Sequence, residues 1–194
     1  MRRAGWIAAL AAVFVAEANA ADLLVGASGL IAVPQGSIDN SEFTAFMDAG
    51  LGGNASAVLQ LKDWLCVGME AGYYRSSGAD SLEAIGTETL HVLPVQAIAE
   101  VATGVGGDSE VFVKAGAGLS VLDIHINDRR EPVPARTEVD PSAYLGGGGN
   151  IRLSSHWTTQ LNFGVEIVNG SDLASRGSPL TLLVFGVGMR YRVH

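Results

Sequence analysis

Four histidines (His91, His125, His156 and His194), a single cysteine (Cys66) and the run Asp128-Arg129-Arg130-Glu131 are the residues whose types invite chemistry. A serine nucleophile needs a base within hydrogen-bond reach. Ser155-His156 is the adjacent pair available, but in a tight turn its two side chains are expected to diverge, and it reads as a solvated turn. The glycine run Gly146–Gly149 precedes no Lys-Ser/Thr and opens no helix, which excludes a phosphate loop. The acids of Ser76–Glu88 are too few and too irregular for a calcium loop. Cys66 has no activating cation beside it in sequence and reads as an inert core thiol. A lone cysteine also excludes an internal disulfide framework and a cysteine-rich zinc site. Arg129, Arg130 and Arg136, near His125, form a patch whose guanidiniums would grip phosphates bidentately. A solvated loop is the competing reading. No catalytic residue, cofactor or metal is expected.

Such residues need a scaffold, and composition limits what it is. Of 194 residues 48% are hydrophobic, 16% are charged and 25 are glycine. The usual charged share is about a quarter, so a soluble domain with a charged surface fits poorly. So apolar a chain is not disordered. Twelve Lys+Arg against twenty Asp+Glu give −8, which disfavours nucleic-acid partners.

Met1-Arg2-Arg3 followed by the apolar run Ala4–Ala16 and by Ala18-Asn19-Ala20 has the pattern of a secretory signal peptide, residues 1–20, cleaved between Ala20 and Ala21. Glu17 ends the run too early for a membrane anchor of about 20 residues. Residues 21–194 then form the mature domain. Its charge is −9, since Arg2, Arg3 and Glu17 depart with a net +1.

The mature chain alternates with a period of two, as strands do. From Trp157 the odd positions run Trp, Thr, Leu, Phe, Val, Ile, and the even ones Thr, Gln, Asn, Gly, Glu. Eight such segments are predicted: 22–33, 42–61, 64–75, 88–101, 110–123, 142–153, 157–168 and 179–193. Their connections alternate between short (62–63, 154–156, with 102–109 intermediate) and long. That rhythm predicts an all-β, eight-stranded antiparallel up-and-down barrel, with both termini at the short-turn end.

Alternation alone does not say which face is outside. The polar face is largely Gly, Ser, Thr, Asn and Gln, as a narrow eight-stranded interior requires. Its charges are of both signs: Asp48, Glu70 and Glu166 against Lys114, Arg152 and Arg190, expected to pair as one lumen network. The other face carries no charge over Leu65–Ala71, Val111–Val121 and Leu183–Met189, as a lipid-facing belt demands. Trp64, Trp157 and Tyr191 fall at short-turn ends, and Phe43, Tyr73 and Tyr74 near the long loops, where interfacial aromatics belong. Each segment exceeds the 9–11 residues that cross a bilayer, so the barrel is expected to be transmembrane.

In Tyr144–Glu166, with its glycine-rich strand, tight turn and Trp-led strand, and in the last strand, Val184–His194, the chain resembles the small OmpA-like and OmpX-like outer-membrane β-barrels of Gram-negative bacteria. The resemblance implies export to the outer membrane, contact with its lipid and lipopolysaccharide, folding by the barrel-assembly machinery, and a monomer. Barrels of that group end in an aromatic residue that the machinery reads; here Tyr191 stands three positions before His194. Some eight-stranded barrels modify lipid A with a His-x-Ser pair, which this chain lacks. The leading expectation is a non-enzymatic barrel with a plugged lumen, in a membrane-structural or surface-interaction role. The alternatives are a narrow pore or apolar-solute conduit, suggested by Pro94, then a lipid-modifying hydrolase, then a soluble secreted barrel.

Overall fold

Strands form wherever the sequence alternates. The computed structural model describes residues 22–35, 37–38, 41–42, 48–78, 86–128, 136–169 and 179–193. The strands are β1 (Asp22–Gln35), β2 (Ser37–Ile38), β3 (Ser41–Glu42), β4 (Gly50–Lys62), β5 (Leu65–Ser77), β6 (Gly86–Gly106), β7 (Ser109–Asp128), β8 (Arg136–Arg152), β9 (Trp157–Val168) and β10 (Leu180–Val193). β2 and β3 pair in a small separate ribbon. The other eight close into one barrel in the order β1-β10-β9-β8-β7-β6-β5-β4. Every neighbouring pair is antiparallel, and closure is made by β1 against both β4 and β10. The start of β1 and the end of β10 meet at the short-turn end, where Arg192 lies 3.3 Å from Asp22.

β6, β7 and β8 exceed their expected lengths by five residues or more, and β4 is much shorter than expected among the described residues. The connection expected over 102–109 shrinks to Gly107-Asp108, because Gly106 and Gly107 adopt φ of 127° and 58°. Positive φ at such positions suits a tight hairpin, and the register shift between Gly104 and Gly106 absorbs the extra residue. β8 starts six residues before the expected Ser142, running through Pro141. Proline is tolerated at a sheet edge, and β8 becomes an edge there: its pairing with β9 stops at Ser142↔Val168, while pairing with β7 continues to Arg136. β6, β7 and the start of β8 thus rise above the rest of the barrel as a tall three-stranded wall. The segment expected over 42–61 is strand from Gly50; Phe43 lies outside the described residues, as do Ala20, Ala21 and the rest of residues 1–21.

The faces are inverted relative to a water-soluble barrel. Leu51, Val113, Leu145, Phe163 and Val187 are among the large apolar side chains that point outward and are exposed. Lys114, Glu100, Glu166, Gln96 and Ser120 point inward and are buried. Burying charge while exposing leucine is unfavourable in water. It is favourable when hydrocarbon surrounds the barrel, since every backbone group is paired within a closed sheet. Glycine supplies interior clearance where walls approach. At Gly148 a Cβ would run into the Leu161 carbonyl and the Phe112 ring.

Candidate functional site

The inward-facing residues lie in layers along the barrel axis. At the loop end Leu30, Ala32, Tyr74, Leu90, Val92, Leu122, Val168, Leu180, Leu182 and Val184 form a continuous buried apolar cluster contributed by six strands. Parity places them there: each sits on the even face of its strand, one or two pleats above the glycines and charges. Tyr74 therefore belongs to the interior and not to the interfacial aromatics, because it follows the outward-facing Tyr73 by one residue.

Below that layer the interior is polar and closely paired. Lys114 Nζ lies 3.0 and 2.9 Å from the two Glu70 carboxylate oxygens and 4.7 Å from the centre of the Tyr144 ring. Glu166 accepts hydrogen bonds from Gln96 at 2.7 Å and from Ser120 at 3.4 Å, and Gln96 also donates to Ser142 at 3.1 Å. Nearer the short-turn end Arg190 grips Glu100 bidentately at 2.7 and 2.6 Å. Cys66, Val58 and Ile98 pack beside this pair, and the Cys66 thiol is free and buried.

The six charges expected to form one network divide into separate groups. Lys114 and Glu70 pair, Glu166 bonds to neutral groups, and Arg190 pairs with Glu100 rather than with any of the five others. Glu100 is the residue that sequence reasoning passed over. It stood one position before the supposed end of its strand, although its parity with Gln96 and Ile98 placed it inward. Arg152 is half-exposed at the short-turn mouth, 3.5 Å from Glu110. Asp48 is exposed and precedes β4; its backbone carbonyl accepts a bond from Ser76. It left the lumen because the strand that would have carried it inward begins at Gly50.

A cavity of about 50 Å³ opens at the short-turn end between Glu100, Glu110, Arg152, Arg190 and Arg192. Ser155 and His156 lie on its rim. Contrary to expectation they converge, with Ser155 Oγ 2.8 Å from His156 Nδ1. Residues 154–156 form a bend rather than extended strand, so neighbouring side chains are not forced to opposite faces. His156 also stacks on Tyr191, ring centres 5.7 Å apart, and Trp157 packs on the same ring at 4.9 Å. Trp64 and Trp157 are exposed at this end. At the other end Tyr73 points outward and its hydroxyl meets His91 Nδ1 at 2.6 Å. Arg129 and Arg130 fall outside the described residues; Arg136 opens β8, and its side chain falls outside them too.

Comparison with known proteins agrees with this geometry. The family described as the outer membrane protein beta-barrel domain matches residues 6–193. Among solved structures, Neisserial surface protein A aligns with a TM-score of 0.61 at 12% identity, covering 88% of this chain and 97% of that one. A major outer membrane protein from Thermus thermophilus aligns with 0.62 at 14%, covering 90% and 100%. The attachment invasion locus protein of Yersinia pestis, solved with the heparin analogue sucrose octasulfate, aligns with 0.53 at 12%, covering 89% and 97%. At such identities the likeness is one of fold. No curated protein matches the sequence.

Proposed function

The chain belongs to the outer membrane protein beta-barrel family, and from that premise we propose that it serves the bacterial outer membrane as a non-enzymatic, non-conducting barrel, structural or surface-interacting, with a plugged lumen. On this reading residues 1–20 are removed at Ala20-Ala21, residues 21–194 are folded by the barrel-assembly machinery with Tyr191 in the terminal signal, and the product is a monomer in contact with lipopolysaccharide. Arg129, Arg130 and Arg136 are the loop residues offered to its phosphates.

One observation carries the plug. The apolar layer of Leu30, Leu90, Leu122, Leu182 and their neighbours is buried within the loop half of the lumen, above a polar layer in which Lys114 pairs with Glu70 and Arg190 with Glu100. An ion crossing it would shed its hydration against leucine and valine, which is prohibitive. Purified protein in planar bilayers is expected to stay electrically silent, with heat-modifiable gel migration of the same sample showing the barrel folded. Discrete conductance steps from folded protein would overturn the reading.

A second reading, passage of an apolar solute through the wall, is favoured by the seam between β5 and β6. Pairing runs in register to Ala71↔Val95 and resumes at Tyr74↔Val92, leaving Gly72 and Tyr73 without ladder partners opposite Pro94 and Leu93. Proline has no N–H to give. Uptake of a fluorescent fatty acid by proteoliposomes, lost in Pro94→Ala, would favour this reading; equal uptake by protein-free vesicles would dismiss it.

A further inference from the structure

On the β5–β8 wall the lipid-facing belt ends abruptly. Outward apolar residues run from Leu65 to Tyr73 on β5, from Val101 up to Leu93 on β6 and from Val111 to Val121 on β7. Those runs are nine, nine and eleven residues, the span of a tilted transmembrane strand. The next outward residues are Arg75, His91 and Asp123, and they form one cross-strand row, Arg75↔His91↔Asp123↔Thr137. Two residues further along β7, His125 is also outward and exposed, its ring 5.7 Å from that of His91 in an edge-on arrangement. Three groups that are cationic or become so on protonation therefore stand on three adjacent strands at the height where head groups begin.

The bonding within the row leaves its positive groups available. His125 Nε2 lies 2.9 Å from Asp123, Thr137 donates to the same carboxylate at 3.1 Å, and Tyr73 holds His91. Arg75 is exposed and, among the described residues, its guanidinium has no hydrogen-bond or ion-pair partner. Partial desolvation draws the Asp123 carboxyl upward, but the bonds from His125 and Thr137 and the nearby imidazoles outweigh it and hold it below the usual range. It thus remains an anion that orients His125.

We propose that Arg75, His91 and His125 form a pH-dependent binding site for the phosphate of an outer-leaflet lipid head group, seated against the foot of the tall β6–β8 wall. The proposal rests on the outer-membrane reading above. Commitment to a lipid follows from position: the three side chains point away from the barrel axis, directly above surface that hydrocarbon covers, so an acyl chain lies beneath any phosphate bound there. A phosphate offers several acceptor oxygens, matching the guanidinium fork and two imidazole N–H groups. The described titratable and charged groups facing the imidazoles are Tyr73 and Arg75 from β5 and Asp123 from β7; β8 contributes the neutral Thr137. With both imidazoles neutral, Arg75 and Asp123 cancel (1 − 1 = 0). With both protonated, the patch carries 1 + 2 − 1 = +2. Imidazoles change charge between about pH 5 and 8, so binding strengthens as pH falls.

The test uses the full barrel in phosphatidylcholine nanodiscs, titrated at pH 5.5 and 7.5 with lipid A, with dephosphorylated lipid A, or with inorganic phosphate. The readouts are bound lipid by native mass spectrometry and the imidazole Cε1–H resonances. Lipid A is expected to shift both imidazole signals and to bind about tenfold more tightly at pH 5.5, two exposed charge contacts being worth roughly this much. Arg75→Gln/His91→Gln/His125→Gln, at two exposed positions and one half-buried one, is expected to leave heat-modifiable migration intact and to abolish the pH dependence. Equal binding by the triple variant, equal binding of dephosphorylated lipid, or inorganic phosphate binding as well as lipid A would each overturn the proposal. Failure of the unaltered protein to enter nanodiscs or to migrate heat-modifiably would instead overturn the outer-membrane reading on which it rests.

Discussion

Removing one member of the buried Arg190–Glu100 pair tests whether the lumen is as dry and closely paired as its geometry implies. The side chains are 5% and 2% exposed, and both hydrogen bonds, 2.7 and 2.6 Å, are short even for charge-assisted contacts. Glu100→Ala strands the guanidinium, whose Nε already lacks a partner among the described residues. Breaking a buried ion pair costs about 3–5 kcal/mol. The adjoining cavity of about 50 Å³ has room for a water or two at roughly 30 Å³ each, which softens the loss, so about 3 kcal/mol is expected. Removing both charges in Glu100→Ala/Arg190→Met relieves the uncompensated ion, so the double variant should be more stable than Glu100→Ala by about 2 kcal/mol. Urea unfolding in phospholipid vesicles, followed by tryptophan emission, measures these differences, and heat-modifiable migration checks folding. A Glu100→Ala loss below about 1 kcal/mol, or a double variant as costly as the sum of the singles, would show that water screens the pair and that this part of the lumen is open.

Three further outcomes follow from the same geometry. Ala117→Arg, at the middle of the outward run on β7, should cost about 2–4 kcal/mol in vesicle unfolding, and Val111→Arg, at its short-turn edge, no more than about 1 kcal/mol; equal costs would contradict the belt's placement. Leu122→Ala removes a fully buried side chain from the apolar layer and should cost about 2–5 kcal/mol, measured the same way, without opening conductance. The Asp123 carboxyl carbon, followed by NMR, should titrate below the ordinary carboxylate range and move up in His125→Gln. Because its folded value is depressed, the stability it contributes is present above the unfolded value, about 3.9. That contribution is lost as pH falls through the folded one, so the stability difference between the two proteins should be present above about pH 4 and vanish as the pH falls below it.

Most of the barrel was legible because alternation is a local signal that a single register slip would destroy. The run from Trp157 to Ile167 gives β9 its faces residue by residue. What stayed hidden depended on three-dimensional context. Pro141 looked like the end of a strand, and nothing local says that β9 stops beside it and leaves β8 an edge where proline is harmless. Asp48 looked like an inward charge because parity extends through residues that do not continue the strand. Glu100 was concealed by the expected turn, which Gly106 and Gly107 move five residues further on. Pairing partners within the lumen were not readable at all: which carboxylate meets Arg190 is decided by the curvature that brings β6 across from β10, strands that are not neighbours in the barrel.

The apolar layer and the paired charges beneath it also restrict where a partner could act. From the loop side a solute meets the leucines and valines of that layer, with Glu138 and Asp140 of β8 at the same height, before it reaches the Lys114–Glu70 and Arg190–Glu100 pairs. From the short-turn side the cavity ends at the Arg190–Glu100 pair. Exposed polar and charged groups stand at the short-turn mouth and on the outer wall above the apolar belt, where β6, β7 and β8 extend. That extension is lopsided: β6 and β7 run 21 and 20 residues, whereas β9 has 12. A membrane crossing consumes only about 9–11 of these, so a surplus of backbone extends beyond it on β6 and β7, where among the described residues the ladder of β8 with β9 ends at Ser142. The Arg75–His91–Asp123–Thr137 row runs across the foot of that projection. The proposed interaction at this wall draws its support from the tall strands and from the exposed Arg75 and His125 at their foot.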